Sequence, residues 1–495
     1  MEKQTPGRGL VPVLGLLDVV LMTVVGVVAL RWVARAARMG AASITLWALA
    51  WLVFFLPLAF VVSELVSRYP DEGGLYAWTR RAFGPFHGFL CGWCLWVNNL
   101  VYFPSLLLFG AANAALATGA GGAALSANRP YLVVSVLAGL VAVVLLNVAG
   151  WSRARWVQNV GSVGTWLPAF VLIGCGAFAL ATVGSATSFT PRTLVPAGDT
   201  LATLSLWSAI CFAFSGFELT ALVGQEVRDP SRTIPLGVLL AGALVTVIYV
   251  AGSASILIVV PAGSLAELSG IVDAIDLVAR RMGLPGVAPL IAALLAVSAF
   301  TMTSSWFAGA ARVPFAAGVD EALPGAFGRL HPRFRTPHVA LVVQGVAAAV
   351  IFVLSVALEV SGARPSIQDA YDVLVNLTIL LYFVPYVYLF LAFARLRRDV
   401  SPPAPSARPA ALPAPAVPPA PRTAGGFRVP GGRAGAWLAA GSGLAATAVS
   451  LALLFVPPAG TTSVLYFEAS LVGQAALLVG AGLVLYRRSR RRLTG

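Results

Sequence analysis

Apolar residues run along this chain in blocks of about 20 or more, separated by short stretches where Arg, Pro, Gly and Asp gather. A helix needs about 20 residues to cross the hydrocarbon core of a bilayer, so each block predicts one membrane-spanning helix. Twelve are predicted, over residues 13–37, 43–66, 86–116, 131–149, 157–183, 203–224, 236–260, 287–311, 339–360, 371–394, 434–456 and 464–486. Lys3 and Arg8 precede the first block as they would in a secretion signal. That block is long enough to span, which predicts an uncleaved first helix.

Two blocks are interrupted. In the first, LLDVVLMTVVGVVALRWVARAARMG, Gly26 breaks the apolar run and Arg31 follows beside Trp32. The sixth, FAFSGFELTALVGQEVRDPSRTIP, breaks at Ser215 and Gly216, carries Glu218 at membrane depth, and leaves through Asp229-Pro230 and Ile234-Pro235. A backbone break inside hydrocarbon survives only where it lines a cavity or is buried in protein. An ionisable side chain at that depth is costly and by default functional. The sixth block opens a second group of five as the first block opens the first group. Interruptions at corresponding places in two halves point to an inverted-repeat transporter, whose half-helix ends face an anionic part of the substrate. Two plainer readings stay open. Gly26 can simply allow close helix packing, and Glu218 can simply satisfy freed amides.

Composition agrees with a polytopic all-α integral membrane protein: 59% of the 495 residues are hydrophobic, 11% are charged, and mean hydropathy is +0.87. A soluble domain carries about a quarter charged residues. The net charge of +14 does not imply nucleic acid, because the basic residues lie between apolar blocks. With the N-terminus inside, only Arg31, Arg35, Arg38, Arg129, Arg192, Arg280, Arg281 and Arg364 of the 33 basic residues fall on the outer side or near it. The positive-inside rule then predicts a multi-pass cytoplasmic-membrane protein with both termini cytoplasmic. Cys91 and Cys94 form a CxxC within an apolar helix and read as packing residues. Residues 395–433 are rich in Pro, Ala and Arg and predict an extended cytoplasmic linker. It divides the chain into 1–183 (first five spans), 184–394 (second five), the linker, and 434–495 (two more spans and a basic tail). His87, His331 and His338 sit at span ends, and no catalytic motif, cofactor site or metal cluster is recognised, so no enzyme activity is expected.

Three stretches carry a family resemblance: YPDEGGLYAWTRRAFGPFHGFLCGW (69–93), FSGFE with Glu226, Asp229-Pro230 and Ile234-Pro235, and ARVPFAAGVDEALPGAFGRLHPRFRTPHVAL (311–341). Together they resemble the amino acid–polyamine–organocation transporters. LRW in the first block and WVNNLVYFPS in the third are similar to glutamate/γ-aminobutyrate antiporters and related bacterial permeases. The resemblance implies a LeuT-like fold of five-plus-five inverted repeats, helices 1 and 6 broken, plus two appended helices. It also implies alternating access for an amino acid or related amine, with the lipid bilayer as surroundings and a monomer or homodimer as the unit.

On that resemblance the substrate site takes Gly26, Ala29, Leu30 and Arg31 from helix 1, Phe212, Phe214, Ser215 and Gly216 from helix 6, Asn99 and Tyr102 from helix 3, and Trp306 from helix 8. Family members place Gly-Ser-Gly or Gly-Thr-Gly where this chain has Ala29, Leu30 and Arg31. Arg31 then has three readings: a bidentate grip on a carboxylate, an ion pair with Glu218, or snorkelling to the outer interface with Arg35 and Arg38. Glu218 matches the family's gating carboxylate and is the candidate proton carrier. The aromatic residues suit an ammonium by cation–π attraction, or serve packing alone. Thr165 stands where sodium-independent relatives carry a Lys. Thr303, Ser304 and Ser305 are weak candidates for Na⁺. The alternatives to an amino acid carrier are a polyamine or Na⁺-coupled transporter and a non-transporting sensor.

Overall fold

The computed structural model describes residues 15–69, 74–196, 201, 204–217, 227, 229–311, 325–334, 336–357, 366–398, 426–458 and 461–494. The first apolar block is split into α1 (Leu16–Val27) and α2 (Arg31–Ala37). Then come α3 (Ala42–Arg68), short α4 (Gly74–Phe83), α5 (Pro85–Leu116), α6 (Arg129–Ala149) and α7 (Trp151–Thr182). The second half contains α8 (Trp207–Ala213), α9 (Pro230–Val259), α10 (Gly270–Arg281), α11 (Val287–Ala310), α12 (His338–Ala357) and α13 (Ile367–Leu396). Last are α14 (Gly432–Leu453) and α15 (Val464–Thr494). Among the described residues there is no strand, and ten helices are long and apolar enough to cross a membrane: α3, α5, α6, α7, α9 and α11 to α15.

Local sequence sets several helix starts. Gly84, at φ +92°, makes the turn from α4 into α5, and Pro85 occupies the first turn where its missing N–H costs nothing. Asn128 caps α6 by accepting the Tyr131 N–H at 2.9 Å. Ser366 and Asp369 form a reciprocal capping box at the start of α13.

Helix α5 is the most enclosed span and packs against α11, α13 and α6. Spans α6 and α15 are the least enclosed, turning Val134, Val141, Leu145, Leu465 and Leu477 outwards. An apolar belt of this kind faces lipid, so the chain is a multi-pass membrane protein. Helix α3 contains a five-residue π-helical stretch, Trp51–Phe55, which sets Phe55 against α9. A Cβ at Gly242 would lie 1.9 Å from the Phe55 ring, so the close approach requires glycine there. Phe55 in turn packs on Phe214 and Phe217, with centroids 5.6 and 4.7 Å away.

Residues 426–431, ahead of α14, are anchored on α3. Phe427 stacks on Phe60 of α3 at 6.3 Å, and the Val429 N–H donates to Glu64 Oε2 at 2.8 Å. Arg397, just beyond α13, lies 3.3 Å from the same Glu64 oxygen and donates from Nη2 to the Gly432 carbonyl at 3.0 Å. Arg397 and Val429 thus meet at one buried carboxylate.

Candidate functional site

The first helix opens at Val28–Leu30: Val28 is extended (φ −66°, ψ 114°), and α2 resumes at Arg31. Gly26, the expected point of interruption, is helical within α1, and a Cβ there would meet nothing within 4 Å. The opening is determined by tertiary partners. Tyr249 of α9 accepts the Ala29 N–H at 3.3 Å, and its O–H lies 3.1 Å from the Val27 carbonyl and 3.4 Å from that of Ala213. A single hydroxyl therefore serves the first break and reaches the end of α8. Backbone groups freed inside a membrane protein need such partners.

Helix α8 ends at Ala213, just before the Ser215 and Gly216 at which the sequence expects the sixth block to break. Ser215 donates to the Phe212 carbonyl at 2.5 Å, and the Gly216 N–H donates to the Tyr386 hydroxyl of α13 at 3.3 Å. Gly216 has φ +99°, which L side chains rarely adopt. Glu218, the expected coupling carboxylate, lies outside the described residues.

Arg31 begins α2 and is 1% exposed, so it does not snorkel. Its guanidinium carbon sits 4.4 Å from the Trp32 ring centre and 4.7 Å from that of Tyr102. Nη1 donates to Ser105 Oγ at 3.1 Å, and the Ser105 hydroxyl donates in turn to the Tyr102 carbonyl at 2.8 Å. Nε and Nη2 are buried with no hydrogen-bond partner among the described residues. Val28, Ala29, Leu30 and Arg31 line a cavity of about 20 Å³ together with Thr165 and Ser298. That is room for about one water molecule. The Thr165 and Ser298 hydroxyls bond each other at 2.7 Å.

The other expected site residues divide. Tyr102 stands edge-on to Trp306 at 6.4 Å, and the tip of the Trp306 ring lies 3.6 Å from where a Gly216 Cβ would be. Phe212 packs on Trp32 at 5.2 Å and on Tyr382 at 5.3 Å. These residues join the two openings. Phe214 turns away into Trp47 and Phe55. Asn99 donates to the Leu95 carbonyl one turn back in its own helix. Thr303 and Ser305 likewise bond their own backbone, and Ser304 accepts from Asn147. None of these three hydroxyl residues is among those lining the cavity, where the hydroxyls come from Thr165 and Ser298.

Arg35 and Arg38 are engaged as well. Arg35 Nη1 lies 2.5 Å from Glu267 and 2.7 Å from Asp372, and Nη2 donates to Asn376 at 3.0 Å. Arg38 reaches the other Glu267 oxygen at 2.8 Å. Burial pushes the Glu267 carboxyl up, but Arg35 and Arg38 outweigh it and hold the group below its ordinary range. The sequence reading missed Glu267, Asp372, Tyr249 and Tyr386. The two acids and two arginines share an apolar neighbourhood only in three dimensions, and a tyrosine inside a span is too common to single out.

Comparison with known proteins places this geometry in context. A family model described as amino acid permease matches residues 14–478. An uncharacterized transporter of Legionella pneumophila is 32% identical over 78% of this chain and 81% of its own length. A probable agmatine/putrescine antiporter of Lactococcus lactis is 28% identical over 75% and 77%. A serine/threonine exchanger of Bacillus subtilis is 26% identical over 70% and 76%.

Proposed function

Because the chain belongs to the amino acid permeases of the amino acid–polyamine–organocation family, we propose that it is a secondary transporter. It carries amino acids across the cytoplasmic membrane by alternating access, through proton symport or substrate exchange. One observation supports this above the rest: the Tyr249 hydroxyl reaches both the opening between α1 and α2 and the end of α8, and two residues from Ala29 lies a buried Arg31 whose hydrogen bonds are incomplete among the described residues. In this reading 1–183 and 184–394 are inverted five-span repeats opened by α1–α2 and α8, and 434–495 adds two helices. Both termini are cytoplasmic, which the distribution of arginines favours. Glu218 gates the site and carries the coupling proton.

A cavity that holds one water is smaller than any amino acid. Loading requires α2 or its neighbours to move. The name of the Lactococcus lactis relative raises a diamine carrier as the second reading, and Arg31 opposes it, since like charges repel in a low-dielectric site.

The test is counterflow in vesicles reconstituted with the purified protein and preloaded with unlabelled amino acid. Labelled amino acid accumulates, and Glu218→Gln abolishes the pH dependence. Binding without flux across the whole panel would replace transport with sensing, and full pH-dependent uptake by Glu218→Gln would remove that residue from coupling.

A further inference from the structure

We infer that the carboxylate of the substrate, and not its amine, is the group this site requires, and that its seat is the side edge of Arg31. The inference takes from the transport reading only that the cavity at the helix 1 opening is the substrate site.

A guanidinium offers its faces, the edge carrying its two terminal nitrogens, and the side edge carrying Nε and Nη2. Here the rings of Trp32 and Tyr102 lie over it, and Nη1 is bonded to Ser105. Among the described residues, the donors left without a hydrogen-bond partner are Nε and Nη2, both buried. These two N–H groups leave the same edge in parallel and match the two oxygens of one carboxylate. Three described facts favour an external anion as the occupant. The residue is 1% exposed, so water does not compensate the charge. Among the described residues no carboxylate pairs with Arg31, and the acids that do pair with α2, Glu267 and Asp372, are bound to Arg35 and Arg38. Arg31 itself lines the cavity.

The same geometry leaves little for an ammonium. The aromatic surfaces of Trp32 and Tyr102 that would attract it already carry Arg31, and a second cation beside them would meet a like charge. A carboxylate lacking an amine should therefore bind, and an amine lacking a carboxylate should not.

The experiment uses matched ligands on shared carbon skeletons: 4-aminobutyrate, butyrate and 1,4-diaminobutane, then alanine, propionate and propylamine. Thermal stabilisation of the purified protein, titrated with each ligand, reports binding to the folded state. The expected result is saturable stabilisation by carboxylate-bearing members with none from either amine. Arg31→Gln abolishes it, and Arg31→Lys, which keeps the charge but loses the fork, weakens it on the order of 100-fold. Ligand-free melting and gel filtration of both variants establish that they are folded. Stabilisation by the amines alone, unchanged carboxylate binding in Arg31→Gln, or no response to any carboxylate overturns the inference. So does stabilisation by chloride with every carboxylate silent. A manyfold gain of carboxylate affinity in Glu218→Gln overturns it too, because the edge would then be held from within. Counterflow separates the two levels: flux of amines leaves transport standing without this inference, and carboxylate binding without flux leaves the inference standing without transport.

Discussion

At the residue scale, Tyr249 shows how an opened helix is made affordable. Its hydroxyl accepts the Ala29 N–H and lies within hydrogen-bond reach of the carbonyls of Val27 and Ala213. Tyr249→Phe leaves the amide, and at least one carbonyl contact, without a partner in a buried setting. Each such loss costs about 1–3 kcal/mol, so the variant should be destabilised by about 2 kcal/mol or more. Denaturant unfolding in detergent measures this, and unchanged stability would mean that other groups satisfy the break. Tyr249 also explains a misplacement. Glycine is the local breaker, so the sequence reading sets the interruption at Gly26. The opening falls at Val28–Leu30 because its partner lies on α9, more than 200 residues away, beyond any local window. Arg31 was legible as an oddity at membrane depth. Its stacking on Trp32 and Tyr102 was not, because that depends on how α2 is rotated against α5.

At the scale of elements, α2 is held by charge. Arg35 and Arg38 tie it to Glu267, in the connection before α10, and to Asp372 of α13. Any movement of α2 away from α13 has to part Arg35 from Asp372, and any movement away from the connection before α10 has to part both arginines from Glu267. Removing one partner of a buried ion pair costs about 3–5 kcal/mol, and Glu267→Gln, which keeps shape and polarity, should lie near the lower end. Its pH dependence has a definite sign. The folded carboxyl is held below its ordinary value near 4.5, so its contribution is fully present above that value and is lost as pH falls through the depressed one. Melting temperatures of the native protein and of Glu267→Gln should therefore differ by a constant amount at neutral pH and converge only in acid. Convergence already near pH 6 would contradict the assignment. Most spans were legible to within a few residues, because a long apolar run admits little else: block 86–116 is α5 at Pro85–Leu116, and block 287–311 is α11 at Val287–Ala310. Helices α4 and α10 were read only as connections, being short and amphipathic. Ile271, Ile275 and Val278 of α10 face inward while Asp273 and Arg280 face out, a pattern that a 20-residue hydropathy window averages away.

At the scale of the molecule, the composition shift at residues 395–433 marked a division between the first ten blocks and the last two. What it did not reveal is that Phe427 and Val429 dock on α3, since contacts with Phe60 and Glu64 carry no local signature. Further contacts hold the last helices in place: Ser208 donates to the Ser450 carbonyl at 2.7 Å, and the Phe390 ring fills the space above Gly443. Peptide continuity between residues 398 and 426 is then redundant for keeping α14 and α15 in position. A chain severed there should survive as two fragments that find each other when co-expressed and leave a column as one particle. Glu64→Ala, which removes the carboxylate shared by Arg397 and Val429, should weaken that reunion. Fragments that elute apart would show that the covalent tether, rather than the docked surface, is what keeps the final pair on the bundle.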